Sequence, residues 1–201
     1  SIFSNVGMVP AILAGLDVKK IHKGAQKTID KKDFIKSLRF AQIYKFCSSN
    51  NFLSNVMMTY SDGLYYFGKW YLQLWAESIG KNNKGITALH AVGTTDQHSQ
   101  LQLYLDGPKD KFFTFLSRSS KKNKLKSIID AQCKATMNVF KKKKIPFRHF
   151  VFKKNNEIEL GSIFTFFVLE TILLAKLMNV NPYNQPAVEQ IKTETKKILL
   201  K

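Results

Sequence analysis

Four short, mostly apolar runs separated by longer stretches of helical periodicity restrict this chain to few folds. The runs occupy 55–60 (NVMMTY), 86–92 (ITALHAV), 111–116 (KFFTFL) and 147–152 (FRHFVF). Each is mostly apolar, as a strand buried on both faces must be, and the intervening stretches are the length of helical crossovers. Helical patterns over 33–47, 63–79, 97–105, 125–142, 157–178 and 186–200 fill the gaps. That alternation, with no internal repeat and no low-complexity linker, predicts an α/β fold with a parallel sheet. In such a sheet ligands sit beyond the carboxyl ends of the strands. The first places to look are therefore Ser61-Asp62-Gly63, 93–98 and 117–120.

The chain of 201 residues is one domain's length and is 44% hydrophobic. It can fill a core, which excludes disordered and collagen-like classes. Its charge is +18, from 32 Lys plus Arg against 14 Asp plus Glu, but arginine occurs only at 39, 118 and 148. Specific phosphate and base readout favours the planar arginine fork, so a solvated basic surface is expected, and no nucleic-acid partner. The basic runs 121–126 and 141–144 flank a periodic segment as the ends of a surface helix would. Cys47 and Cys133 have no C-x-x-C partner, so neither a disulfide framework nor a zinc site is indicated, and a reducing, cytoplasmic setting fits. The apolar start lacks a basic leader pattern. Glu170 and Lys176 interrupt the apolar stretch 163–178, which reads as a core helix and not a membrane span.

Three places carry residues suited to proton transfer. Glu77 lies three residues past Leu74 and seven past Trp70, so it is expected to continue the apolar face marked by Phe67, Trp70, Tyr71 and Leu74. The bland alternative is an ion-pair partner for Lys81 or Lys84. His98 follows a strand in the run GTTDQHS, where Thr95 or Asp96 could cap the next helix. His22, His90 and His149 read as surface, core or edge histidines. In the run YNQPAVEQIK, Asn184 or Gln185 can cap a helix with Pro186 in its first turn, and Lys192 borders that helix's apolar side, as a snorkelling lysine also would. No His, Cys or acidic pair has convincing zinc spacing.

Taken in order, Tyr60-Ser61-Asp62, Phe67-Gly68-Lys69-Trp70, Leu74-Trp75-Ala76-Glu77-Ser78, the 93–99 run and the 183–192 run resemble the carboxyl-terminal half of the bacterial glucose-6-phosphate isomerase family. The likeness extends over nearly the whole chain, including Asn5-Val6-Gly7 and Gln100-Leu101-Gln102-Leu103. The 183–192 run resembles that family's second signature: aromatic, Asp or Asn, Gln, any residue, Gly or Ala, Val, Glu, two residues, Lys. The resemblance implies a three-layer α/β/α sugar-isomerase (SIS) domain over residues 1–201, with the amino-terminal half absent. It implies isomerisation of glucose 6-phosphate and fructose 6-phosphate through a cis-enediol, without metal or organic cofactor. Glu77 would move the proton between C1 and C2, and His98 would assist ring opening. Lys192 would stand at the ring-opening end and Gln185 near the sugar phosphate. It further implies a homodimer in which His98 is supplied by the neighbouring subunit. The family's first signature would end at Ser1, placing its active-site arginine upstream, with the phosphate-binding Ser and Thr loop in the other half. A dual phosphoglucose and phosphomannose isomerase, or a non-catalytic sugar-phosphate-binding module, would share this pattern.

Overall fold

The computed structural model describes residues 2–119 and 123–200, with Lys31 and Lys32 as backbone only. Ser1, part of the 117–120 strand end and the start of the 121–126 basic run lie outside the described residues. Three helices come first: α1 (Asn5–Leu13), α2 (Val18–Ile29) and α3 (Lys31–Ser49). Strand β1 (Ser54–Tyr60) leads through a 3-10 turn into α4 (Tyr65–Ile79) and then β2 (Thr87–Val92). Next come α5 (Gly93–Ser99), α6 (Leu101–Asp106), β3 (Lys111–Arg118), α7 (Lys124–Lys142), β4 (Phe147–Phe152), α8 (Glu157–Leu177) and α9 (Pro186–Leu199).

The four strands form one sheet in the order β2-β1-β3-β4, and every pairing is parallel. This order explains the three layers. Right-handed crossovers are strongly favoured, and the chain leaves β1 toward β2 but then travels the other way to β3 and β4. The reversal puts α4 on one face and α5 to α7 on the other. The first face buries Met57, Phe112, Leu116 and Phe152 under α3, α4 and α8. The second buries Val56, Met58, Phe113 and Phe115 against Tyr104, Cys133 and Phe140.

Helices α1 and α2 were not expected from the sequence. Only Ile21, Gly24 and Thr28 of α2 are buried, too few large apolar residues to mark a face. The expected 97–105 helix is two helices, and the first begins at Gly93. Asp96 does not cap a following helix; its carboxylate accepts from the Val92 amide at 2.6 Å and from Ser99 Oγ at 2.9 Å, closing the first turn of α5.

The apolar helix α8 is long enough and apolar enough to cross a bilayer by length and composition alone. Here it packs against α2, α3 and α4, and its buried Glu170 pairs with Arg148 of β4. The crossing with α2 is close. A Cβ at Gly24 would lie 1.9 Å from the Ile158 carbonyl oxygen, and one at Gly161 would lie 2.0 Å from that of Ile21. Backbone sits on backbone, and Ser162 Oγ donates to the Gly24 carbonyl at 2.9 Å. Gly161→Ala is expected to destabilise the fold by about 1–3 kcal/mol, the usual range for overpacking a tight contact; chemical denaturation of the variant beside the parent chain measures it.

Candidate functional site

Helix α4 runs from the carboxyl end of β1 back toward the amino ends of the strands, where Trp75 Nε1 donates to the Ile86 carbonyl at 2.9 Å. Its buried stripe is Phe67, Gly68, Tyr71, Trp75, Ser78 and Ile79. Trp70 and Leu74 lie at the margin of that stripe, so Glu77, one turn beyond Leu74, is exposed and does not continue the buried face. Its Oε1 accepts from Gln73 Nε2 at 3.0 Å. Lys81 bonds the backbone carbonyl of Glu77, at 2.6 Å, rather than its carboxylate. Gln73 was not singled out in the sequence, although its position four residues before Glu77 puts it on the same helical edge.

Glu77 and Gln185 line one cavity of about 360 Å³, together with Lys81, Lys84 and Val188. Gln185 occupies the N-cap position of α9 but makes no side-chain cap bond, and Pro186 is in the first turn. Lys192 lies two turns along and is exposed, 2.6 Å from Glu189 Oε1. Surface pairs of this kind add little stability. No residue of α9 is buried, so the apolar side that Lys192 was expected to border (Val188, Ile191, Ile198) is uncovered in this chain.

His98 is exposed in the last turn of α5, beyond the carboxyl end of β2. Glu77 and its cavity lie near the amino end of that same strand. A strand of this length spans roughly 20 Å, so the fold does not bring Glu77 and His98 of one chain together. A second cavity, of about 260 Å³, does lie at the carboxyl ends, between Gly63, Arg118 and Asn155. None of the four expected site residues lines it.

The strand histidines are hydrogen-bonded: His90 Nε2 lies 3.0 Å from Thr59 Oγ1, and His149 Nε2 lies 2.8 Å from Ser117 Oγ. Among the described residues no three of His, Cys, Asp and Glu stand together as a metal site. Burial lowers both histidines below their ordinary value of 6.5; at His90 Lys69 adds to this and Asp96 opposes it. A group with a depressed folded pKa takes up protons on unfolding, so the stabilisation is full above its unfolded value and is lost as pH falls toward the folded one. The unfolding free energy should therefore fall as the pH is lowered through and below the ordinary histidine value of 6.5, and His90→Gln should flatten that slope. Denaturant titrations of both chains on either side of that value test it.

Known proteins resemble the chain closely along its length. It is 39% identical over 210 residues to a probable glucose-6-phosphate isomerase of Methanococcus maripaludis, covering 94% of this chain and 48% of that protein. It is 35% identical to the glucose-6-phosphate isomerase of Methanocaldococcus jannaschii, with coverage of 96% and 53%. The Campylobacter jejuni glucose-6-phosphate isomerase is 33% identical, with coverage of 99% and 55%. The chain thus spans about half the length of the curated relatives it matches. Among solved structures, hypothetical protein TT0462 of Thermus thermophilus superposes with a TM-score of 0.86 at 25% identity, covering 98% of this chain and 54% of that one. A Chlamydia trachomatis glucose-6-phosphate isomerase superposes at 0.79 and 19% identity, covering 99% and 46%, a likeness of fold. No protein-family model matches the chain.

Proposed function

We propose that this chain is the carboxyl-terminal sugar-isomerase domain of a glucose-6-phosphate isomerase, working as a cytoplasmic homodimer on glucose 6-phosphate and fructose 6-phosphate. The observation that carries the reading is the cavity shared by Glu77 and Gln185, in a chain 39% identical to half of a probable isomerase of that specificity. Glu77 is the base. It takes the proton from C2 of the open-chain aldose as O1 is protonated from solvent, giving a cis-enediol, and returns that proton to C1 as the O2 hydroxyl gives its proton back to solvent and becomes the ketone. Gln73 holds Oε1, which leaves Oε2 for the proton. A carboxylate at a solvent-accessible cavity, oriented by one hydrogen bond, suits general base catalysis of this kind.

Lys192 supplies positive charge near the oxygen from which the ring opens, Gln185 contacts the phosphate, and His98 donates a proton to the ring oxygen. The separation of Glu77 from His98 across the sheet supports a site shared by two subunits, each giving one residue to the other's cavity. No metal or organic cofactor enters this chemistry.

In the complete protein, Glu77→Gln should lower turnover by about two to four orders of magnitude with the fold intact. Substrate binding should fall far less. Retention of more than roughly a tenth of the parent turnover would exclude Glu77 as the proton-transfer residue. The 201-residue chain purified free of host isomerase should be nearly inactive, because the arginine that stabilises the reacting anion and most of the phosphate donors are, by the resemblance, not among its residues. A rate comparable to the complete enzyme would refute that division of labour.

A further inference from the structure

Lys81 stands beside Glu77 and has no part in the chemistry above. An α-helix leaves its last four carbonyls without intrahelical donors, and in α4 these belong to Ala76, Glu77, Ser78 and Ile79. Gly80 follows with φ −69° and ψ 74°, outside the left-handed conformation of the common glycine cap, and its amide reaches the Ala76 carbonyl at 3.2 Å. Lys81 serves the other three. Its amide donates to Ile79 at 2.8 Å, and its ammonium donates to the carbonyls of Glu77 at 2.6 Å and Ser78 at 3.0 Å.

The loop that carries Lys81 is itself anchored. Asn82 and Asn83, at φ 55° and 57°, take the left-handed conformation that asparagine tolerates and turn the chain so that Lys84 pairs back with Lys81. The Lys84 ammonium then donates to the carbonyl of Met178 at 2.8 Å, at the end of the core helix α8. The last turn of α4 is thereby tied to the end of the core helix α8.

We propose that Lys81 is a positioning residue for Glu77: by capping the Glu77 and Ser78 carbonyls it keeps the last turn of α4 wound, with the carboxylate facing the cavity it shares with Gln185. The proposal rests on the isomerase reading. A base displaced by an ångström loses much of its effect, whereas substrate contacts made elsewhere are untouched, so the consequence falls on kcat and not on KM.

Two variants and two measurements decide it. Lys81→Met keeps the stem and removes the donors; Lys81→Arg keeps charge and donors. In the chain itself, amide hydrogen exchange at Ile79 and Gly80 should quicken on the order of tenfold in Lys81→Met, with β1 amides unchanged and Lys81→Arg close to the parent. In the complete enzyme, Lys81→Met should lower kcat on the order of tenfold with KM within about twofold, and Lys81→Arg should restore most of it. Faster exchange with an unchanged kcat would leave a cap without a positioning role, and a lower kcat with unchanged exchange would mean that Lys81 acts on substrate directly; either overturns the proposal. A parent enzyme inactive on glucose 6-phosphate overturns the isomerase reading and the positioning role with it, while the exchange data still report whether the cap exists.

Discussion

The ion pair between Arg148 and Glu170 holds the sheet and its helices in one arrangement. Arg148 is the one charged side chain on the inner face of β4, and Glu170 is the acid in the middle of α8, fully buried. Both guanidinium nitrogens Nη1 and Nη2 meet the carboxylate, the second at 2.9 Å. Nε donates to Thr114 Oγ1 of β3 at 2.9 Å, and Nη2 also donates to the Tyr44 hydroxyl of α3 at 3.1 Å. Tyr44 donates on to Asn55 of β1 at 2.9 Å, and Asn55 Nδ2 donates to the Tyr71 hydroxyl of α4 at 2.6 Å. One polar chain thus joins three strands and three helices. Phe40 and Phe150 place their rings 4.6 Å and 5.1 Å from the guanidinium carbon, adding cation–π attraction where water is excluded.

The electrostatics of the cluster follow from its burial. Desolvation works against the charge on Arg148, and the adjacent Glu170 together with Tyr44 and Tyr71 more than offsets it, holding the guanidinium above its ordinary value. Burial pushes the Glu170 carboxyl up, opposed by Arg148, and pushes the Tyr44 hydroxyl up to about 12. Such a pair is a poor source of net stability, because desolvating two ions costs about as much as their attraction returns. Removing one partner is another matter: it strands a buried charge, at about 3–5 kcal/mol. The pair fixes where α8 sits on β4, and through Asn55 and Tyr71 it fixes where α4 lies. The last turn of α4 carries Glu77, so the proposed base depends on a network that never touches substrate.

Much of this was legible in the sequence. The four strands emerged within one or two residues of their ends because strands buried on both faces are written as continuous apolar runs, and a mostly parallel sheet was expected from their alternation with helices; every pairing is in fact parallel. Other features left weaker marks. Helix α2 packs through Gly24 and Thr28, small residues set among lysines, so a polar segment with few large apolar side chains read as surface. Trp70 and Leu74 sit at the edge of α4's buried stripe, so continuing their line to Glu77 put an exposed carboxylate on the wrong side of the helix. Glu170 was visible as an interruption of an apolar helix, but its partner Arg148 lies in a different element, and a pairing between elements has no signature in local pattern. The distance between Glu77 and His98 is likewise a property of topology: a crossover helix ends beside the amino ends of the strands, whereas the loop that follows the next strand lies beyond its carboxyl end.

That distance makes the shared site the claim on which the functional account turns. The most direct measurement mixes full-length Glu77→Ala and His98→Ala chains under conditions where subunits exchange and assays glucose 6-phosphate isomerisation. If each site combines Glu77 of one subunit with His98 of the other, half of the randomly paired dimers are mixed and each has one intact site, giving about a quarter of the parent activity. Activity that stays at the level of the two separate variants after exchange has been verified would contradict the shared site.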